Sequence, residues 1–107
     1  MSIKNIELPV DKITEFCERW KIQEFALFGS VLRNDFRPNS DIDVLVSFSS
    51  DNSWTLFDYV DMQDELKIIF GRKVDLVSKK GIERSKNALR KNRILGSAKV
   101  IYATSRF

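Results

Sequence analysis

The chain has 107 residues, 43% of them hydrophobic, and its 18 Lys and Arg residues against 15 Asp and Glu give a net charge of +3 at pH 7. This length fits one compact domain over residues 1–107. The sequence contains no histidine, which excludes a Ser-His-Asp triad, a zinc site with imidazole ligands and a histidine general base, and leaves carboxylates and metal ions as the catalytic groups.

The sequence also bears on location and charge distribution. No apolar run approaches the roughly 18 residues that a membrane-spanning helix needs, and the N-terminal MSIK does not lead into a secretory signal, so we expect a cytoplasmic protein. The single cysteine, Cys17, has no partner for an internal disulfide and is expected to be a buried structural residue. Residues 79–107 hold nine Lys and Arg against Glu83 alone, so the tail is basic.

The first half of the chain predicts one long helix, one short helix and two strands. A helix is predicted over residues 9–20, because Pro9 suits a first turn and the residues behind it form an apolar stripe. This stripe consists of Val10, Ile13, Phe16, Cys17 and Trp20. Residues 24–28 (EFALF) predict a buried strand that stops at Gly29, followed by a short helix from about Ser30. Residues 41–48 (DIDVLVSF) predict the second strand.

The second half predicts two more helices and two more strands. Asp51, Asn52 and Ser53 offer N-cap oxygens for a helix that Gly71 ends. The apolar face predicted for this helix consists of Leu56, Tyr59, Met62, Leu66 and Phe70. Residues 72–78 predict a strand, a basic stretch from about Ile82 to Ser97 a helix, and residues 99–103 a closing strand.

These elements predict an α/β or α+β two-layer domain in which helices pack on a small mixed sheet of three to four strands. The first two strands are joined by about twelve residues with a helical start. Such a connection suits either a parallel or an antiparallel pair, so their relative direction is left open.

Asp41 and Asp43 form an acidic pair at the start of the second strand. Side chains alternate across a strand, so both project from one face with Cα atoms about 7 Å apart, while Ile42 points into the core. Adjacent carboxylates repel each other unless a cation neutralises them, and such oxygen ligands select magnesium or manganese. The alternative is that both acids cap a turn or pair with lysines.

Asp75 is the third acidic residue of interest, since it lies inside an otherwise apolar strand where an unpaired carboxylate is costly to bury. If the second and third strands are neighbours, Asp75 approaches Asp41 and Asp43 and completes a cage for two divalent ions about 4 Å apart. A salt bridge to Lys73 or to a basic residue of the tail is the alternative.

Gly29 and Ser30 supply a phosphate-binding turn. A glycine between a strand and a helix lets backbone N–H groups and the serine hydroxyl approach phosphate oxygens closely. Alone, this pair indicates only a turn. The ordered pattern Gly-Ser, ten residues, Asp-x-Asp is expected by chance on the order of once in a thousand chains of this size, so the combination is specific.

Residues 29–35 (GSVLRND) through 40–46 (SDIDVLV) resemble the signature of the DNA polymerase beta-like nucleotidyltransferases, in particular their minimal branch. The similarity extends over essentially the whole chain and includes the later strand with Asp75. Within that branch the chain is similar to the MntA-type antitoxins, which are protein adenylyltransferases that pair with HEPN-domain ribonuclease toxins.

The resemblance implies a polymerase beta-like fold for a single minimal domain and a role for each motif residue. Gly29 and Ser30 would hold the triphosphate of ATP. Asp41 and Asp43 would bind two Mg²⁺ ions, and Asp75 would complete the nucleophile-side metal and help activate the acceptor. The implied reaction is in-line attack on the α-phosphate of ATP by a tyrosine hydroxyl of the cognate HEPN toxin, which is thereby neutralised.

Three motif features have more than one interpretation. Ser40 either contacts the nucleotide or caps the turn before the strand. Arg33 and Asp35 are expected to support the loop as an ion pair rather than to act in catalysis. The basic run of residues 79–93 is expected to be a surface for ATP or the partner rather than a solvated helix face.

Two other functions remain as alternatives. One is a nucleotidyltransferase that acts on RNA ends or on a small molecule, with the basic tail in its favour. The other is an antitoxin that acts by binding alone. The lack of a separate substrate-recognition domain in 107 residues favours an acceptor supplied by a partner protein.

Overall fold

The fold is built from six strands and four α-helices within residues 2–3, 6–34, 36–37, 39–48 and 54–104, which are those that the computed structural model describes. The strands are β1 (Ser2–Ile3), β2 (Ile6–Glu7), β3 (Ile22–Phe28), β4 (Ile42–Phe48), β5 (Val74–Ser78) and β6 (Lys99–Ala103). The helices are α1 (Val10–Arg19), α2 (Leu56–Phe70), α3 (Lys79–Glu83) and α4 (Ala88–Ser97), with a 3-10 helix at Gly29–Leu32.

Four strands form one mixed sheet in the order β5-β4-β3-β6, and β1 pairs with β2 separately. Strand β4 is antiparallel to β3 and parallel to β5, and β3 is antiparallel to β6. The predicted mixed sheet with helices packed on it is therefore confirmed. The direction that the sequence left open is antiparallel, so the loop with the 3-10 helix works as a long hairpin connection.

The main hydrophobic core lies between one face of the sheet and helices α1 and α2. Phe16 from α1 packs edge-on against Phe25 of β3, with ring centroids 6.3 Å apart. Met62 and Leu66 supply the buried face of α2. On β4, Ile42, Val44 and Val46 face this core. Because side chains alternate along a strand, Asp43 projects from the opposite face of the sheet.

A smaller core covers that opposite face. Ile82 of α3 and Ile94 of α4 pack against Ala26, Phe28 and Leu45 of the sheet. The burial of Ile94, which is 6% exposed, holds α4 against the sheet on the side from which Asp43 projects.

Helix α2 differs from its prediction at the N-terminal end. The N-cap is Thr55. Its hydroxyl accepts a hydrogen bond from the backbone N–H of Asp58, and the backbone N–H of Thr55 donates to the Asp58 carboxylate. The predicted cap residues 51–53 lie outside the described residues. Leu56 is 83% exposed, so its prediction as a core residue is wrong. The partly buried Trp54 packs against the core there, beside the rings of Trp20 and Phe48.

The basic stretch after β5 is not one helix from residue 82 to 97, as predicted, but the two helices α3 and α4. Side chains that cap each helix set the break. The Ser78 hydroxyl accepts from the N–H of Gly81 at the start of α3, and Asn87 accepts from the N–H of Arg90 at the start of α4. A second cap within the stretch starts a new helix and so ends the old one.

Cys17 is fully buried on α1, which confirms its structural role. Burial, and to a lesser degree the Glu18 carboxylate, raise the pKa of its thiol to about 12, so the thiol stays protonated and unreactive at neutral pH. Within the described segments, no helix is long and apolar enough to cross a bilayer.

Candidate active site

The pairing of β4 with β5 brings two of the predicted carboxylates together. In this parallel ladder Asp43 lies directly opposite Asp75, and Ile42 lies opposite Val74. Neighbouring strands are about 4.8 Å apart, so the Asp43 and Asp75 side chains leave the sheet side by side. Asp41 lies two residues before Asp43, immediately before the first residue of β4.

The electrostatics of Asp43 show that the three acids interact. Partial burial raises the pKa of the Asp43 carboxyl above its usual value, and the neighbouring Asp75 and Asp41 carboxylates raise it further. The positive charges of Arg33 and Arg90 oppose this rise without cancelling it. The surroundings of Asp43 therefore make its ionised form less favourable than it is in water, and a bound cation would oppose this effect.

Asp75 differs from its predicted environment because its side chain is exposed. The prediction that this carboxylate is buried is therefore wrong. Its strand β5 lies at the edge of the sheet, which leaves the residue open to solvent. Over the described part of the chain, Asp75 forms no ion pair with Lys73 or any other basic residue, so the salt-bridge alternative has no support there.

The three acidic side chains offer donor atoms that suit a divalent metal ion, although these atoms do not converge on one point. Asp41, Asp43 and Asp75 offer the hard oxygen atoms that Mg²⁺ and Mn²⁺ prefer. In the described residues no group of three or more acidic or thiol side chains is close enough to hold an ion as it stands. Burial raises the pKa of Asp43, and repulsion from Asp75 and Asp41 raises it further. A cation would oppose both effects, so the residues fit a metal by chemistry and charge.

Gly29 makes a close approach to Asp43 that no other residue would allow. Its φ angle is +77°, in the left-handed region. A Cβ atom built on Gly29 would lie 2.3 Å from Oδ2 of Asp43. The contact arises because Phe28, the last residue of β3, is the antiparallel partner of Asp43. The turn predicted to bind phosphate and the carboxylate predicted to bind metal thus lie side by side.

Ser30 and Ser40 lie in the turns on either side of this site. Ser30 is the second residue of the 3-10 helix, and its carbonyl accepts from the N–H of Arg33. The Ser40 hydroxyl accepts from the N–H of Arg37, which caps the turn before β4. The guanidinium group of Arg72 lies over the Phe36 ring in the same loop. Nucleotide contacts by Ser30 and Ser40 stay predictions, and Asp35 lies outside the described residues.

Two clefts open on either side of Asp75. The first, of about 400 Å³, runs from the Gly29 turn to α4. It is lined by Phe28, Gly29, Arg33, Asp43, Asp75, Asn87, Leu89, Arg90, Arg93, Ile94 and Ser97. The second, of about 490 Å³, lies against α2. It is lined by Asp41, Gln63, Asp64, Lys67, Lys73, Val74 and Asp75. Asp75 therefore lines both clefts, whereas Asp43 lines only the first and Asp41 only the second.

The sequence did not single out Arg90 and Arg93 from the rest of the basic run, yet both line the first cleft. Their spacing of three residues places them on one face of a helix, whereas Lys91 lies about 100° away from Arg90. This helical spacing was the signal available in the sequence. It could not be used without the position of α4 relative to β4.

Comparison with known proteins gives a family match over most of the chain. Residues 11–101 match the family model described as the nucleotidyltransferase domain. A relative from Methanocaldococcus jannaschii, named "Putative protein adenylyltransferase", is 38% identical over 65 residues. "Protein adenylyltransferase MntA" from Thermococcus cleftensis is 33% identical over 69 residues. These alignments span 61% and 64% of this chain, and 65% and 68% of the relatives' own lengths.

Solved structures share the fold. "Crystal structure of the toxin-antitoxin with AMP-PNP" superposes with a TM-score of 0.69 at 23% identity, over 92% of this chain and 76% of that chain. A structure described as "tri-AMPylated Shewanella oneidensis HEPN toxin in complex with MNT antitoxin" gives a TM-score of 0.60 at 22% identity, over 89% of this chain and 70% of that chain. At these identities the likeness establishes a common architecture.

Proposed function

The chain belongs to the nucleotidyltransferase domain family, and on that premise we propose that it is an antitoxin that transfers AMP from ATP to a tyrosine hydroxyl of a HEPN-domain toxin. The observation that carries this proposal is the junction of the Gly29 turn with Asp43, beside which Asp75 lies in register. One site then offers a phosphate-binding turn and three acidic side chains. The names of the relatives support protein as the acceptor.

The solved complexes support the kind of partner. One structure of this fold is named as a toxin-antitoxin with AMP-PNP, an ATP analogue. Another contains a HEPN toxin that carries AMP together with an MNT antitoxin. A chain with the same fold is suited to the same division of labour, in which the partner supplies the acceptor.

Asp41, Asp43 and Asp75 would hold two Mg²⁺ ions, or Mn²⁺, which would neutralise charge on the phosphates and favour ionisation of the acceptor hydroxyl. The fit rests on the hard oxygen donors and on the raised pKa of Asp43, which a cation would relieve. Transfer is expected to occur in the cytoplasm, where ATP and such partners are available.

The protein's own groups bind the triphosphate, orient the acceptor and accept its proton. The backbone at Gly29 and the Ser30 hydroxyl hold the triphosphate, so that the α-phosphorus lies near Asp43. The acceptor enters from the open edge at β5, where the exposed Asp75 accepts the proton of its hydroxyl. A bond forms between the acceptor oxygen and the α-phosphorus as the bond to the pyrophosphate oxygen breaks. Most of the rate enhancement comes from this positioning.

A transfer assay tests the proposal. The chain is incubated with Mg²⁺, ATP labelled at the α-phosphate, total RNA and the protein encoded by the adjacent gene. We expect label on that protein and none on RNA. Label on RNA alone would support the alternative of a transferase for RNA ends.

Carboxylate variants make this assay specific. The double change Asp41→Asn/Asp43→Asn should abolish labelling. Asp61→Asn is the matched control, because it removes an exposed carboxylate of α2 that lines neither cleft. If the double variant neutralised the toxin in cells as well as wild type does, the chain would act by binding alone.

A further inference from the structure

The cleft beside Gly29 has a cationic wall made by one face of α4. Arg90 and Arg93 are three residues apart on this helix and both line the cleft. Side chains with this spacing lie next to each other on a helix surface, with Cβ atoms about 5–6 Å apart. The buried Ile94 and the Asn87 cap fix the helix in place. The two guanidinium groups are therefore presented from a rigid support.

The side chains of the two arginines are not paired within the described part of the chain. Neither guanidinium group forms an ion pair or a hydrogen bond with any described residue. Arg90 is near enough to Asp43 to lower the pKa of its carboxyl, although the two groups are not paired. Had these arginines served only to neutralise the acidic pair, direct salt bridges would be expected. Instead the cleft has carboxylates on one wall and free cations on the other.

This separation of charge matches a polyphosphate ligand that carries divalent metal. Its metal-bound oxygens would face Asp43 and Asp75, and its remaining phosphate oxygens would face α4. Arginine binds phosphate through two parallel N–H donors, which gives it geometric specificity as well as charge. Two arginines one helical turn apart can span adjacent phosphates of a chain.

We propose that Arg90 and Arg93 bind the β- and γ-phosphates of the nucleotide, and so hold the group that leaves as pyrophosphate. The identity of the ligand as a nucleoside triphosphate rests on the proposed function. As the bond to the α-phosphorus breaks, negative charge grows on the leaving oxygen, and a fixed cation beside it stabilises that charge. The basic run thus divides into Arg90 and Arg93, which contact the ligand, and other residues that do not.

Equilibrium binding on the isolated full chain tests the assignment without an acceptor protein. The probe is an ATP analogue with a methylene group between the α- and β-phosphorus atoms, measured by calorimetry with Mg²⁺ against AMP and adenosine. Loss of a hydrogen bond to a charged group lowers affinity by roughly 10-fold or more. Arg90→Ala and Arg93→Ala should each lower the affinity for the analogue by at least about 10-fold. The affinity for AMP should fall much less, and the affinity for adenosine should not change.

Charge-matched controls lie on the same segment. Lys91→Ala and Arg84→Ala remove one positive charge each from positions that do not line the cleft, and should leave affinity for the analogue near the wild-type value. Arg90→Lys should give an intermediate affinity, because the charge remains but the paired donors do not. Thermal melts followed by circular dichroism check that each variant is folded.

Several results would overturn the assignment. If Lys91→Ala and Arg90→Ala lowered the affinity for the analogue equally, the effect would be one of general charge. If a variant lowered the affinities for adenosine and for the analogue equally, its cleft would be damaged. Unchanged analogue binding with weaker binding of a single-stranded RNA would identify α4 as an RNA surface. Failure of the adenylylation assay alone would leave the triphosphate assignment standing, whereas a wild-type chain that bound no analogue would refute both.

Discussion

Replacing Gly29 with alanine tests how closely the phosphate-binding turn and Asp43 depend on each other. Alanine in the left-handed conformation of this residue costs about 1 kcal/mol, which lowers the melting temperature of a domain of this size by roughly 5 °C. The new methyl carbon would also lie 2.3 Å from Oδ2 and 3.2 Å from Cγ of Asp43. The carboxylate can rotate away at little further cost in stability, but it then leaves its functional position.

A displacement of about 1 Å in a reacting group costs about 100-fold in rate, so Gly29→Ala should reduce AMP transfer about 100-fold. The assay is the initial rate of label transfer at saturating ATP, with the melting temperature measured in parallel. Gly71→Ala is the matched control. Gly71 has a φ of +71°, but nothing lies within 4 Å of the added carbon, so this variant should lose similar stability and keep the wild-type rate.

The comparison can fail in two ways. If both variants lost activity to the same extent, backbone strain rather than the contact with Asp43 would explain the effect. If both kept the wild-type rate, the position of the Asp43 carboxylate would not matter for transfer, and the proposed site would be wrong.

Three further predictions follow from burial and charge. In metal-free protein, Asp43→Asn should raise the melting temperature at neutral pH, because the raised pKa makes the ionised carboxyl destabilising. The gain should be full above that raised pKa and vanish as the pH falls below 3.8. A gain that grew towards acid pH would contradict this sign. Leu66→Ala should lower the free energy of unfolding in urea by about 3 kcal/mol. Leu56→Ala, at a residue 83% exposed, should change it by less than about 0.5 kcal/mol. Similar losses of stability in the two variants would argue against the orientation of α2. Chelation of divalent metal should abolish transfer and Mg²⁺ should restore it, while transfer that persisted in chelator would rule out the metal role.

The motifs could be predicted from sequence because each depends on local chemistry. Gly29 is required by the backbone conformation of one turn, and the alternation of Asp41, Ile42 and Asp43 follows from the period of a strand. The mixed sheet follows from the order of its elements. For Gly29 and for the acidic pair, a short stretch of sequence is enough to specify the local structure.

Other features depend on partners distant in sequence. At the start of α2, Trp54 packs against Trp20 while Leu56 is exposed, and this contact joins residues 34 positions apart in the chain. The exposure of Asp75 depends on the edge position of β5, which no local pattern encodes. The approach of Arg90 to Asp43 likewise requires α4 to cross the sheet at one place. Composition alone could only call this segment basic.

The mass of the toxin tests the central claim most directly. The protein encoded by the adjacent gene, which the proposed function requires to be a HEPN-domain toxin, is co-expressed with wild type or with Asp41→Asn/Asp43→Asn. Its mass is then measured by intact-protein mass spectrometry. Wild type should add one or more AMP units to a tyrosine of the toxin, and the double variant should add none. A toxin that is neutralised by wild type yet unmodified in mass would contradict the account.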